Sequence, residues 1–230
     1  MKLFKLTEQD NTTYHKTTVW GENVTHKKNK KDNPSLCSSD VLHAYSNATL
    51  AFLLNPIHAN IHSPRLWEAS GKVVCSDFGK VGCFKLTTLR ELSSPTWVGS
   101  AIDAQVRTMF AALCAESVLS VFEDTRPSDT RVREAINAAK QYAITPSKEA
   151  AGAAAEAAGA GWAARAAEAG WAARAAEAAA RAAEAGWAAS AAEAAARAAS
   201  AASAAARAAA ECTIDFTAIA DNAVSLIIAK

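Results

Sequence analysis

Four of the chain's five histidines fall between His26 and His62, interleaved with tryptophan, cysteine and arginine. Three groups stand out: Trp20-Gly21-Glu22-Asn23-Val24-Thr25-His26; Leu36-Cys37-Ser38 followed by Leu42-His43-Ala44-Tyr45; and Asn55-Pro56-Ile57-His58-Ala59-Asn60 followed by Arg65-Leu66-Trp67-Glu68. As metal ligands, Cys37, His43, His58, His62, Cys75 and Cys83 are the candidates, with His58 and His62 at the helical i,i+4 spacing. Pro56 and Pro64 crowd that stretch, and no second close-spaced pair completes a zinc signature, so no metal is expected. Cys37 with His43 offers a nucleophile and a base, but without a signature such as GxSxG. No P-loop and no GxGxxG supplies a phosphate cradle, and no cofactor is expected. A ligand pocket is the reading that remains. Trp20 and Trp67 would give stacking surfaces, His26, His43 and His58 hydrogen bonds, and Arg65 an anion contact, with Tyr45 beside His43.

The elements that must position these groups change character along the chain. Lys2-Leu3-Phe4-Lys5-Leu6 alternates like a strand, and Ser46 to Leu54 reads as a buried helix ending before Asn55-Pro56. Leu66 to Val74 and Val81 to Leu89 read as two strands around turn residues Ser76-Asp77-Phe78-Gly79, which sets Cys75 and Cys83 across from one another. From Val98 the period becomes helical: Ile102, Val106, Met109, Phe110, Leu113, Val118, Val121 and Phe122 share a face. Arg126-Pro127-Ser128-Asp129 breaks it, and Val132, Ile136, Ala139 and Tyr142 begin a second helix. Thr145-Pro146 then restarts a helix, with Thr145 as cap and Glu149 in the first turn.

Residues 150–211 are an alanine-rich repeat. Gly161-Trp162-Ala-Ala-Arg165-Ala-Ala-Glu168 recurs at Gly170-Trp171 and, with serine for arginine, at Gly186-Trp187. Alanine favours helix, but at about 100° per residue the three tryptophans would not share one face of a straight rod. Breaks at the glycines give each short helix a coherent face and predict a compact bundle, with a rod docked along another subunit as the alternative. Thr213 to Ala229 is apolar enough to pack back on that bundle as a last helix. The expected fold class is therefore α+β: a small α+β domain over residues 1–97, a helical hairpin over 98–146, and an all-α alanine-rich helical bundle over 147–230.

Twenty-four Lys and Arg against 23 Asp and Glu argue against a protein that coats nucleic acid. The run Lys27-Lys28-Asn29-Lys30-Lys31 reads as a solvated loop, with phosphate contact as the alternative. Five cysteines without a CxxC pair, and an opening of Met1-Lys2-Leu3-Phe4-Lys5-Leu6 that runs into polar residues rather than a signal peptide, predict free thiols in a reducing cytoplasm. Arg or Glu every few residues in the alanine stretch excludes it as a transmembrane span.

The order and spacing of Trp20-Gly21-Glu22-Asn23-Val24-Thr25-His26, Leu36-Cys37-Ser38, His43-Ala44-Tyr45, Asn55-Pro56-Ile57-His58-Ala59-Asn60, Leu66-Trp67-Glu68-Ala69 and Gly82-Cys83 through Glu91 resemble an uncharacterised family of small domains common in bacteriophage genomes. Cys114-Ala115-Glu116, Phe122-Glu123, Arg133-Glu134-Ala135-Ile136 and the Ala/Arg/Trp repeats resemble the alanine-rich helical immunity protein family of bacteria and phages. More distantly, Cys37-Ser38 followed by His43-Ala44-Tyr45 looks like small ADP-ribosyltransferase-related domains, in which a histidine contacts a nucleotide. These resemblances imply a phage-type accessory protein that sequesters a small nucleotide-like ligand, such as a host defence signal, in the host cytoplasm. They also imply a helical region able to mediate homo-oligomers. Two alternatives stay open: an ADP-ribosyltransferase-like or nucleotide-cleaving enzyme using His43 with Glu68 or Glu91, and a protein-interaction or immunity module.

Overall fold

The computed structural model describes residues 1–13, 15–36, 38–77, 79–153 and 214–229. The chain divides into two compact units, Met1–Pro95 and Thr96–Lys230.

The first unit is built on strands. β1 (Lys2–Thr7), β4 (Thr25–Lys27), β5 (Leu42–Tyr45), β6 (Arg65–Asp77) and β7 (Lys80–Leu92) form one antiparallel sheet, beside a small ribbon of β2 (Thr12–Thr13) and β3 (Thr18–Val19). β6 pairs with β1 from Lys2↔Ser70 to Thr7↔Arg65, and with β7 from Leu66↔Leu92 to Asp77↔Lys80. β7 also takes β5, from Leu42↔Cys83 to Tyr45↔Lys80, and β4, from Thr25↔Thr87 to Lys27↔Lys85. β5 meets β1 at Phe4↔Tyr45. The pairings therefore close β1, β6, β7 and β5 on themselves. Such closure needs strongly bent strands, and register shifts at Trp67/Ala69, Gly71/Val73 and Val73/Cys75 supply the bends. Gly71 sits at one of them, where a Cβ would lie 2.8 Å from the Lys85 carbonyl oxygen. At the hairpin tip Gly79 takes φ +83, a region that side-chain-bearing residues avoid.

Within the sheet, Leu3, Trp20, Leu42, Ala44, Ala69, Val81, Cys83 and Leu86 form a core cluster, with Val73 against it. α1 (Ala48–His58) packs on β1 and β5 through a segment that buries Leu50 to Leu54. Asn47 caps it by accepting from Leu50 N at 3.0 Å. The expected stop before Asn55-Pro56 is overrun by one turn, which closes where Ala59 N and Asn60 N both donate to Asn55 O, and the Asn55 carboxamide reaches beyond it. It donates to Ile61 O at 2.9 Å and accepts from Ile61 N at 3.1 Å, which anchors the chain after the helix.

In the second unit the expected long helix is two, α2 (Asp103–Glu116) and α3 (Leu119–Thr125), bent by 42° at Ser117-Val118. α4 (Arg131–Ile144) follows the break at Arg126–Asp129, and α5 (Phe216–Ile228) is the expected last helix. Both pack on α2. The restart after Thr145-Pro146 takes Ser147 rather than Thr145 as its cap, with Ser147 Oγ accepting from Ala150 N at 3.0 Å. α2 carries a buried ion pair between Arg107 and Asp103, with the guanidinium 5.2 Å from the Trp97 ring centroid and Asp103 Oδ2 accepting from Gly99 N.

The expected fold class, an α+β domain followed by an all-α alanine-rich bundle, is corrected. The described fold is a mostly antiparallel five-stranded sheet with a few helices, and it gives no support for a helical bundle. The physical reason lies in what builds the core. The described helices bury Met109, Phe110, Phe122, Ile136 and Phe216 rather than meeting through alanine methyls alone, and α5 lies on α2. The repeat on which the bundle was placed, within residues 154–213, lies outside the described residues. Among the described residues no single helix is long and apolar enough to cross a membrane.

Candidate functional site

β1 alternates, so Leu3, Lys5 and Thr7 share a face, and two of these three positions are fully buried. That alternation turns Lys5 toward the sheet's own packing rather than toward water. Lys5 Nζ lies 5.1 Å from the centroid of the Trp20 ring and donates to His43 O at 2.9 Å. Trp20 is held from the other side. It is 2 % exposed, its Nε1 donates to Thr13 Oγ1 at 2.8 Å, and its backbone N donates to Asn11 O at 2.8 Å. Lys28 enters just beyond β4, fixed by its N–H on Phe84 O at 2.7 Å. Lys5, Trp20, Lys28 and His43 line one open recess of about 90 Å³, rimmed by the hydroxyl-bearing Thr13, Thr18, Ser38 and Ser39 and by Val41 and Leu42.

The recess carries two lysines and no carboxylate among its lining residues. Its electrostatics follow. Desolvation pushes the Lys5 pKa down to about 8, helped by repulsion from Lys80. His43 is lowered to about 4, chiefly by burial, with Lys80, Lys5 and Lys28 adding to it and the bond to Leu36 opposing it. His43 is thus neutral near pH 7. Its Nε2–H donates to Leu36 O, which leaves Nδ1 as the nitrogen with the free lone pair. The surrounding unit is itself basic: residues 1–95 hold 12 Lys and Arg against 8 Asp and Glu.

The seven residues singled out from the sequence fall in three places. Trp20 and His43 line the recess, and His26 stands behind Trp20 with ring centroids 4.6 Å apart, its Nε2 bonded to Val19 O at 2.7 Å. Tyr45 and His58 form a second group, stacked at 5.8 Å. Burial raises the Tyr45 phenol and, with repulsion from Lys80 and His43, lowers His58 to about 4. His58 Nδ1 is buried without a hydrogen-bond partner. Arg65 and Trp67 make the third. Arg65 holds Glu91 through Nε and Nη2 and lies 5.5 Å from the Trp67 ring centroid, while Trp67, 4 % exposed, donates Nε1 to Thr7 Oγ1 at 3.1 Å. Arg65 is committed to a carboxylate and Trp67 to the core, so neither faces the recess.

Glu68 is engaged by Arg90 and Lys2, and Glu91 by Arg65; both carboxyls are held below their usual range by those hydrogen bonds, and neither lines the recess with His43. Among the described residues no group of three His, Cys, Asp or Glu could hold a metal ion. Cys75 and Cys83 stand on neighbouring strands with no disulfide between them, and Cys37 lies outside the described residues.

Lys5 and Lys28 were not among the sequence candidates. A signal for Lys5 was present, since strand alternation puts it on the same face as the buried Leu3. Lys28 belongs to the basic run read as a solvated loop, in which Lys31 pairs with Asp40 while Lys28 reaches the recess. Comparison with protein-family models, with curated proteins and with solved structures finds no match.

Proposed function

We propose that the protein is a binding module for a small phosphate-bearing, nucleotide-like ligand, whose anionic group enters the recess between Lys5 and Lys28. The observation that carries this reading is that two lysines and no carboxylate line one cavity. An ammonium held out of water at Lys5 lacks a counter-charge, and an entering anion supplies it. The volume sets the scale. Pockets that enclose a whole ligand run to about 300–1,000 Å³, whereas about 90 Å³ takes one charged group and leaves the rest of the ligand outside. His43, neutral and pinned by Leu36, offers a hydrogen-bond acceptor rather than a second charge. Together with the phage-domain resemblance, the setting is sequestration of a nucleotide-derived defence signal in the host cytoplasm.

Calorimetry of the intact protein against ADP-ribose, cyclic nucleotides and inorganic phosphate tests this. The expected result is binding that weakens with added salt and falls at least tenfold in Lys28→Met. Absence of heat with every one of these ligands at low salt would remove the proposal.

A further inference from the structure

Lys5 differs from the other amines of its unit in several physical respects at once. Its Nζ is bonded to a neutral carbonyl, His43 O, rather than to a carboxylate, and it lies over an indole face inside a cavity. Lys2, Lys16 and Lys31, by contrast, pair with Glu68, Asp10 and Asp40. The charged or titratable groups facing Lys5 are Lys80 from β7, Lys28 from the chain after β4, and His43 from β5, none of them acidic. Enclosure beside other cations is the environment that turns a lysine into a nucleophile.

We infer that Lys5 is a carbonyl-reactive amine, and that a small phosphate-bearing aldehyde puts its carbonyl end into the recess, where the carbonyl carbon condenses with Lys5 Nζ while the exposed Lys28 holds the phosphate at the mouth. The phosphate arm of this inference rests on the anion-binding reading above; the amine chemistry does not. The neutral Nζ adds to the carbonyl carbon, a C–N bond forms, and the carbonyl π electrons move to oxygen to give a carbinolamine. One N–H proton passes to that oxygen, relayed by the hydroxyls of Thr18, Ser38 or Ser39 at the rim, to make it a hydroxyl; the nitrogen lone pair then forms C=N as the C–O bond breaks, and the departing hydroxide takes the second N–H proton, so that one water and a neutral imine result. No oxidant or reductant is consumed. With its pKa near 8, Lys5 is about 20 % free amine at pH 7.4, roughly 200-fold more than an ordinary lysine.

The test is reductive trapping on the full chain. Glyceraldehyde 3-phosphate at limiting concentration, with cyanoborohydride to deliver hydride to the imine carbon, is followed by peptide mass spectrometry that quantifies every lysine. The expected result is an adduct at Lys5 at least tenfold above those at exposed Lys16, Lys72 and Lys85, lost in Lys5→Arg and kept in Lys72→Arg. Adducts spread evenly over the exposed lysines, or centred on Lys80, overturn the inference from the wild-type map alone, whether or not Lys5→Arg folds. Two arms separate the readings. Phosphate binding by calorimetry with an unlabelled Lys5 overturns the imine and leaves the anion site standing. Labelling of Lys5 by unphosphorylated glyceraldehyde as fast as by its phosphate keeps the amine chemistry and overturns the role of Lys28.

Discussion

Replacing Lys5 by methionine removes the ammonium while keeping a flexible chain of similar length, and the consequence for stability reverses with pH. The folded pKa of Lys5 lies near 8, against 10.5 for the free side chain. Between those values the unfolded chain binds the proton that the folded chain has released, so stability rises with pH across this window. Below pH 8 the native state carries the full cost of a desolvated ammonium, about 3 kcal/mol for a shift of this size. Against it stand the hydrogen bond to His43 O, worth about 1 kcal/mol with its acceptor left unpaired on removal, and the contact with Trp20, about 0.5–1 kcal/mol. The balance at pH 7 is a gain of about 1 kcal/mol for Lys5→Met. The difference between wild type and variant is the firmer quantity, because the pH-independent terms cancel. It shifts by about 2–3 kcal/mol in favour of wild type between pH 7 and pH 10, so the two curves cross. Urea unfolding of both proteins at pH 7, 8, 9 and 10 reads this directly, and an NMR titration of Lys5 Nζ locates the proton. A difference that stays flat to within about 0.5 kcal/mol across that range refutes the placement of a charged Lys5 in a dehydrated recess.

The two lowered histidines act at the other end of the scale. His43 and His58 fold neutral with pKa values near 4, so protonation of the unfolded chain costs stability as pH falls from about 6.5 through 4; His58→Phe should flatten that acid limb in pH-dependent thermal melts, and an unchanged limb contradicts the burial argument. Asn55→Ala deletes both bonds to Ile61 and leaves a buried N–H and C=O unpaired, so a loss of about 2 kcal/mol is expected by denaturant unfolding; a loss below about 0.5 kcal/mol means water replaces the carboxamide. Arg107→Met strands the Asp103 carboxylate in the interior, and about 3–5 kcal/mol should go. The double variant Arg107→Met/Asp103→Leu is expected to recover part of it, and no recovery would show that the helix start, through Gly99 N, depends on Asp103 itself.

Much of the first unit was legible because strand alternation is local. Lys2 to Leu6 and the Leu66–Leu89 hairpin follow from period and turn residues, and the structure lengthens the hairpin strands to thirteen residues each. The closure of β1 onto β6 was not legible. It joins residues about sixty positions apart, and its condition, bends at Gly71 and near Val73, depends on the register that forms only when both strands meet. The long helix failed for a related reason. Its apolar period runs through Val118 unbroken, yet the Ser117 hydroxyl bonds back to Cys114 O at 2.7 Å and the chain turns there. Periodicity reports which face is buried, not whether the axis is straight.

For the site, residue type was a good guide to where chemistry is conceivable and a poor one to which groups are still available for it. Arg65 and Trp67 look like a ligand clamp in sequence; in the fold Glu91, across the hairpin, and Thr7, from a strand that the sequence spacing does not connect, satisfy them first. Lys5 shows the opposite case. Only the alternation of β1 marks this lysine: it turns Lys5 inward, and the closing sheet leaves it facing Trp20, His43 and Lys28 with no carboxylate to meet. A charge that a core accepts without a counter-charge costs stability in the free protein. That cost is recovered when an anion or an electrophile arrives, so the same enclosure that weakens the empty fold strengthens the occupied one. The sign of the Lys5→Met effect should therefore invert with ligand: stabilising in buffer at pH 7, destabilising at saturating phosphate ester, in thermal melts of the same two proteins.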